Sequence, residues 1–215
     1  SPTAWRGNPL DYLVTLRALL ARLVAWVAED APPPPSAYPR IDAGTLVAID
    51  AVTFPAIPGV EPPAVVHEAY RVDYGPRWRE GIITIEPPRL GRAFPSRVSQ
   101  VDADGNEAAG VPAVELLAPL ATYTPWSRRT GYPAATRELV DFLGTVAPFP
   151  RTEAERRERN DPRPSLEARY GTRARYLEAA RRAGESLVAR GVLLAEDAPD
   201  AVDRAGATWD WIMQR

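Results

Sequence analysis

Cysteine and lysine are absent from these 215 residues, and histidine occurs once. Without cysteine there can be no disulfide, no thiolate metal site and no thiol nucleophile. The single histidine, His67, would have to serve any histidine-dependent chemistry alone. No run approaches the roughly 18 consecutive apolar residues of a membrane-spanning helix, so no membrane partner is expected. A formal net charge of −2 gives no reason to expect nucleic acid as a partner. Also missing is the G-x-S-x-G turn that holds a nucleophilic serine. None of Ser36, Ser96, Ser99, Ser127, Ser165 or Ser186 has the flanking glycines it requires. Neither a glycine-rich phosphate cradle nor a metal triad is present, and no cofactor is expected.

What is abundant is proline: 24 residues against 14 glycines. Proline fixes φ and removes a donor, so at this density much of the chain runs as extended connections. Hydrophobic content of 45% still suffices for one good core, or one core and an appendage. The basic residues, all arginine, nearly balance the acids.

The chain reads as α+β in three stretches. Residues 1–30 carry one long helix. Asn8-Pro9-Leu10-Asp11 combines an N-cap, a first-turn proline and a first-turn acid. Leu13, Leu16, Leu20, Leu23 and Val27 follow at helical spacing, widened by Leu19, Val24 and Trp26, with Arg17 and Arg22 to one side. Nothing downstream offers a parallel sheet to receive so broad an apolar face. Residues 31–135 are a proline-rich, extended and strand-bearing region. Short strands are expected at Thr45–Ile49, Val65–Tyr74 and Gly81–Ile85, and a hairpin from Arg97–Val101 to Glu107–Val111 around Asp102-Ala103-Asp104-Gly105-Asn106. Residues 136–215 are a helical cap. Its expected helices are Arg137–Leu143, one opened by the capping box Thr152-Glu153-Ala154-Glu155, a turn from Ser165, a long one from Thr172 to Arg190, and a last one from Pro199 to Met213.

Several constellations invite a functional reading. A triad on His67 with Glu68 or Asp73 is possible in principle, but His67 falls on the polar side of an expected strand, where a solvated histidine is the default. Asp102, Asp104 and Asn106 suggest calcium, but an EF-hand needs glycine at its sixth position and glutamate at its twelfth, where Glu107 and Ala113 stand. A tight turn explains them better. The arginines of 151–215 are interleaved with acids at i,i+4, as in Glu153/Arg157, Glu155/Arg159 and Glu178/Arg182, the pattern of a salt-bridged helix surface. In Ala121-Thr122-Tyr123-Thr124-Pro125-Trp126, the rings of Tyr123 and Trp126 beside two hydroxyls are candidate substrate contacts. The competing reading has both rings sealing a junction between the strands and the helices.

Motif order adds a resemblance. Asn8-Pro9-Leu10 with Arg17-Ala18-Leu19-Leu20, then Pro33-Pro34-Pro35-Ser36, Tyr38-Pro39-Arg40 and Gly44-Thr45-Leu46-Val47, lead into Phe54-Pro55-Ala56-Ile57-Pro58-Gly59 and Asp73-Tyr74-Gly75-Pro76-Arg77-Trp78. They are followed by Val101–Glu107, Leu120–Trp126, Asp161-Pro162-Arg163-Pro164-Ser165 and Trp209-Asp210-Trp211. Together these resemble the C-terminal part of a bacterial family of alpha/beta hydrolase domain proteins. At Pro125 and Ser127 the family more often has glycine and asparagine. The resemblance implies a serine hydrolase acting on carboxylic esters, with the catalytic serine and histidine lying before Ser1. No catalytic residue carries over to any position here. It also implies that the apolar face of the first helix packs on an upstream parallel sheet, completing an α/β hydrolase fold. On this expectation the partners are that upstream region, or an equivalent apolar partner, and a small-molecule ester. The alternative is a non-enzymatic protein-binding module derived from the same family, docking through Leu13, Leu16, Leu20 and Leu23.

Overall fold

The computed structural model describes residues 3, 5–64, 66, 68–131 and 138–215. Its centre is a small antiparallel sheet in the order β1 (Arg6–Gly7), β7 (Thr145–Pro148), β6 (Ala121–Thr124). Tyr123 pairs with Val146 and Arg6 faces Val146 from the other side. All eight residues of β6 and β7 are buried, which is why the sequence there is threonine, valine, alanine and tyrosine without a charge. Pro148, lacking an N–H, closes β7.

Against this sheet lies the principal core. Helices α2 (Val114–Leu117), α4 (Leu166–Arg169), α5 (Arg173–Ala189) and α6 (Ala198–Met213) contribute Leu166, Tyr176, Ala180, Leu187, Ala205, Trp209 and Ile212. Alanines along the inner face of α5 let α6 approach closely, and aromatics fill the end of the seam. Tyr176 stacks on Trp209 at 5.2 Å, and Tyr170 meets both edge-on. Three helix starts are fixed by a hydroxyl: Thr152 caps α3 (Glu153–Arg159), Ser165 caps α4 and Thr172 caps α5. Ion pairs Glu155–Arg159 and Glu178–Arg182 form at i,i+4 as their spacing predicts, whereas Glu153 takes Arg156 rather than Arg157.

The first half of the chain is built differently. Strands β2 (Leu46–Val47) and β5 (Val98–Ser99) pair only with each other, as do β3 (Tyr70–Asp73) and β4 (Arg89–Ala93). The β3–β4 ribbon is almost wholly exposed. The first helix, α1, spans Leu13–Glu29, beginning later than Asn8-Pro9 suggests. Asn8 is occupied elsewhere: its Nδ2 donates to Thr124 O, tying the N-terminal segment to β6. Helix α1 is attached by its polar side. Ala18 is fully buried, Val14 touches the core, Arg17 donates to Asp197 at 2.7 Å, and the Arg22 guanidinium lies against Gly191. The leucine stripe faces outward, with Leu20 62% exposed.

Three further differences have local causes. In place of the expected helix over Arg137–Leu143, the described residues 138–143 hold a bridge from Leu139 to Arg128 and a turn in which Phe142 has φ 55°. The chain reverses there to enter β7, and Gly144 is required because a Cβ would strike Thr124 O and approach the Asn8 Cβ at 2.8 Å. Gly81–Ile85 is not a strand; Gly81 ends a 3₁₀ turn over Trp78–Glu80. The partner of β3 is instead Arg89–Ala93, whose central Gly91 interrupts the alternation that marks strands. Of the hairpin expected from Arg97–Val101 to Glu107–Val111, the turn around Asp102–Asn106 forms, closed by a Val101–Glu107 bridge with Gly105 at φ 80°, but Glu107–Val111 is not a strand and β5 pairs with β2 instead.

Candidate functional site

Trp126 stands directly after β6, where the chain leaves the buried sheet. Thr124 Oγ1 donates to Trp126 O at 2.5 Å and holds that exit turn. The indole packs against Phe54 with ring centres 5.8 Å apart. Phe54 is placed by a side chain acting as backbone. The Gln100 Oε1 accepts from Thr53 N at 3.0 Å, and its Nε2 donates to Ala51 O at 3.0 Å, stitching the 49–54 loop to the end of β5. Between these pieces lies a cavity of about 480 Å³ walled by Leu46, Ile49, Val52, Phe54, Val98, Val101, Trp126 and Leu139. Its few polar side chains are Arg97, Ser99, Glu107 and Thr124. An apolar cleft of this size with scattered polar groups is the usual form of a small-molecule site.

Trp126 also walls a second cavity of about 360 Å³ on its other side, with Trp5, Ser127, Arg128, Arg129 and Glu61. Tyr123 lines neither. It is 3% exposed among Ala121, Val146, Leu10, Leu116 and Trp211, and burial pushes its phenol above the ordinary tyrosine range. The structure therefore separates the two rings paired in the sequence: successive strand residues face opposite ways, and the chain bends at Pro125.

The turn at Asp102–Asn106 braces the site from below. Asp102 Oδ1 accepts from Asp104 N and Asn106 N, both at 2.9 Å. Asn106 is 2% exposed and docks on the free edge of β6, accepting from Tyr123 N at 2.8 Å and donating to Ala121 O at 3.1 Å. Asp104 pairs with Arg169. The motif beyond it is also structural. Arg163 is 2% exposed, chelates Asp161 through two nitrogens, and donates to Thr122 Oγ1, Ala147 O and Pro148 O. That buried fork clamps β6 to β7.

Among the described residues no acyl-transfer constellation is assembled around Trp126. Of the described residues that line the larger cavity, Ser99 and Thr124 carry the hydroxyls and Glu107 the acid. Ser165 is committed to capping α4 and to Glu153, at 2.7 Å. His67 lies outside the described residues. Among the described residues no group of three or more His, Asp and Glu stands close enough to hold a metal ion. Residues that sequence reasoning passed over are Leu46, Phe54 and Val98, which are brought together only by two-residue pairings, and Arg128-Arg129. The adjacent arginines after Trp126 are the one signal that could have been read in advance.

The model of the alpha/beta hydrolase domain family matches residues 2–203 of this chain. The chain belongs to that family. No curated protein and no solved structure matches it. Membership in the family makes a hydrolase-type function the frame for the cavities beside Trp126. It also accords with the α+β composition of the described residues, which form small antiparallel sheets and six α-helices. No helix among the described residues is long and apolar enough to cross a membrane.

Proposed function

We propose that this chain is the C-terminal part of a serine hydrolase acting on carboxylic esters, and that it is catalytically incomplete by itself. In this reading it contributes the last helix of the hydrolase core and the wall of the substrate entrance, with Trp126 as the contact to the substrate's apolar part. Tyr123 supports that wall from within the sheet. The observation that carries the reading is the orientation of α1. A 17-residue helix presents Leu13, Leu16, Leu20, Leu23, Val24 and Val27 to solvent while its arginine side holds it to the body. Covering such half-exposed side chains stabilises by on the order of 1 kcal/mol each, and contiguous exposed patches of this kind mark interfaces. A parallel sheet carrying the G-x-S-x-G turn would cover the stripe.

The test is labelling of the protein from its native source with a serine-directed fluorophosphonate, read by intact mass. A labelled species containing this sequence and much heavier than the chain's 23.5 kDa supports the proposal. An unlabelled species of 23.5 kDa sinks it and favours the binding-module alternative. In that case charge substitution at Leu16 or Leu20 should abolish partner binding.

A further inference from the structure

The smaller cavity beside Trp126 has a chemistry of its own. Trp5 and Trp126 line it, and the Trp5 indole N–H is already spent on Gly59 O at 2.8 Å, leaving an apolar ring. Arg128 and Arg129 also line it, at 23% and 32% side-chain exposure. A guanidinium carries five donors. Arg128 uses two nitrogens, on Glu61 at 2.7 Å and on Pro62 O at 3.3 Å. Arg129 makes no side-chain hydrogen bond among the described residues, and its nearest carboxylate is Glu138 at 3.6 Å. The Nε of each arginine is buried without a partner. Half-buried cations with unused donors are costly, and a planar bidentate acceptor is the partner that suits them.

We propose that this cavity is a subsite for a carboxylate borne on an aromatic or acyl body, with Arg129 as its anion contact and the two indoles flanking the apolar part. The charge balance selects a monoanion. Glu61 and Glu138 lie beside the two arginines, at 2.7 Å from Arg128 and 3.6 Å from Arg129, and a phosphate dianion would be repelled by both acids. Trp126 lines both this cavity and the apolar one. If the ester-hydrolase reading holds, on which this extension rests, the substrate is an ester that also carries a free carboxylate. Its apolar portion fills the larger cavity.

The subsite is tested by calorimetric titration of the full chain at low ionic strength with phenylacetate, its neutral analogue phenylacetamide, and methyl phosphate. Phenylacetate should bind at least about fivefold more tightly than the amide, because only the acid supplies a charged bidentate acceptor. Arg129→Gln should erase that preference while shifting the melting temperature little, since the side chain makes no hydrogen bond among the described residues and its one ion pair there, with the exposed Glu138 at 3.6 Å, is worth little. Arg129→Lys should restore part of it, a point charge without the fork. Equal affinity for acid and amide overturns the proposal. So does a preference surviving Arg129→Gln, tighter binding of methyl phosphate than of phenylacetate, or no binding of phenylacetate at all. No turnover is involved, so this test and the fluorophosphonate labelling succeed or fail separately.

Discussion

Two side chains with no chemistry to perform hold the sheet that positions Trp126. Arg163 satisfies Asp161, a threonine hydroxyl and two strand carbonyls inside the core, and truncating its side chain leaves the buried Asp161 carboxylate without its counter-charge, holding only the Arg163 backbone N–H. Arg163→Ala should cost about 3–5 kcal/mol, the penalty for breaking a buried pair from one side, read as a shift in the urea midpoint. Asn106→Ala strands Tyr123 N and Ala121 O and should cost about 1–3 kcal/mol by the same measurement. Glu153 gives a pH signature. Hydrogen bonds from Arg156 and Ser165 pull its carboxyl from the ordinary glutamate value of 4.5 down to about 2. A carboxyl depressed in the folded state contributes stability that is full above pH 4.5 and lost as pH falls through about 2. Glu153→Gln should therefore flatten that part of the acid limb while leaving its shape above pH 5, roughly, unchanged. An identical acid limb in the variant would refute the assignment.

Among the elements, α1 is the one whose buried and exposed sides are reversed relative to its hydropathy. Leu20→Glu should change the stability of this chain by no more than about 0.5 kcal/mol, the range of an exposed surface substitution. Ala18→Leu, at a position with no room, should cost about 1–3 kcal/mol from overpacking. Thermal melts of the two variants side by side decide it; a large loss in Leu20→Glu would mean the stripe is covered within the chain itself. The capped helices behave as their sequences say. Thr172→Ala removes the acceptor of Arg175 N and should cost about 1 kcal/mol.

Taken as a whole, the molecule divides into a packed half and an open half. The core of α2, α4, α5 and α6 on β6 and β7 draws nearly all its buried residues from positions after 113, whereas most of the exposed large hydrophobics fall before 95. A lone two-stranded ribbon is marginal in water. Amide exchange should therefore be fast in β3 and β4 and slowest in β7, α5 and α6. Burial of the open half by a partner would slow α1 and the ribbon while leaving the core amides unchanged. The proposed reading gives that asymmetry a function, since a segment that completed a larger fold would need one face finished and one face waiting.

Much of this architecture is written in local sequence. The caps at Thr152, Ser165 and Thr172, the inner face Tyr176, Ala180, Ala183 and Leu187, and the Asp-Gly-Asn turn depend on contacts within a few residues, and those forces act the same way in any context. The broad apolar stripe of α1 and the want of a serine turn are equally properties of the chain alone. Only the tertiary structure decided that Ala18, not the leucine stripe, is buried, with Arg17 reaching Asp197 from the surface; that Gly144 serves a close crossing rather than a helix end; and that Trp126 lines two cavities while Tyr123 is sealed in the sheet. These depend on partners distant in sequence: Asp197 for Arg17, Thr124 and Asn8 for Gly144, and Phe54, Val98 and Trp5 for Trp126. Pairings of two residues and loops stitched by Gln100 leave no periodicity to read, because their energy comes from long-range contact rather than from any repeating local pattern.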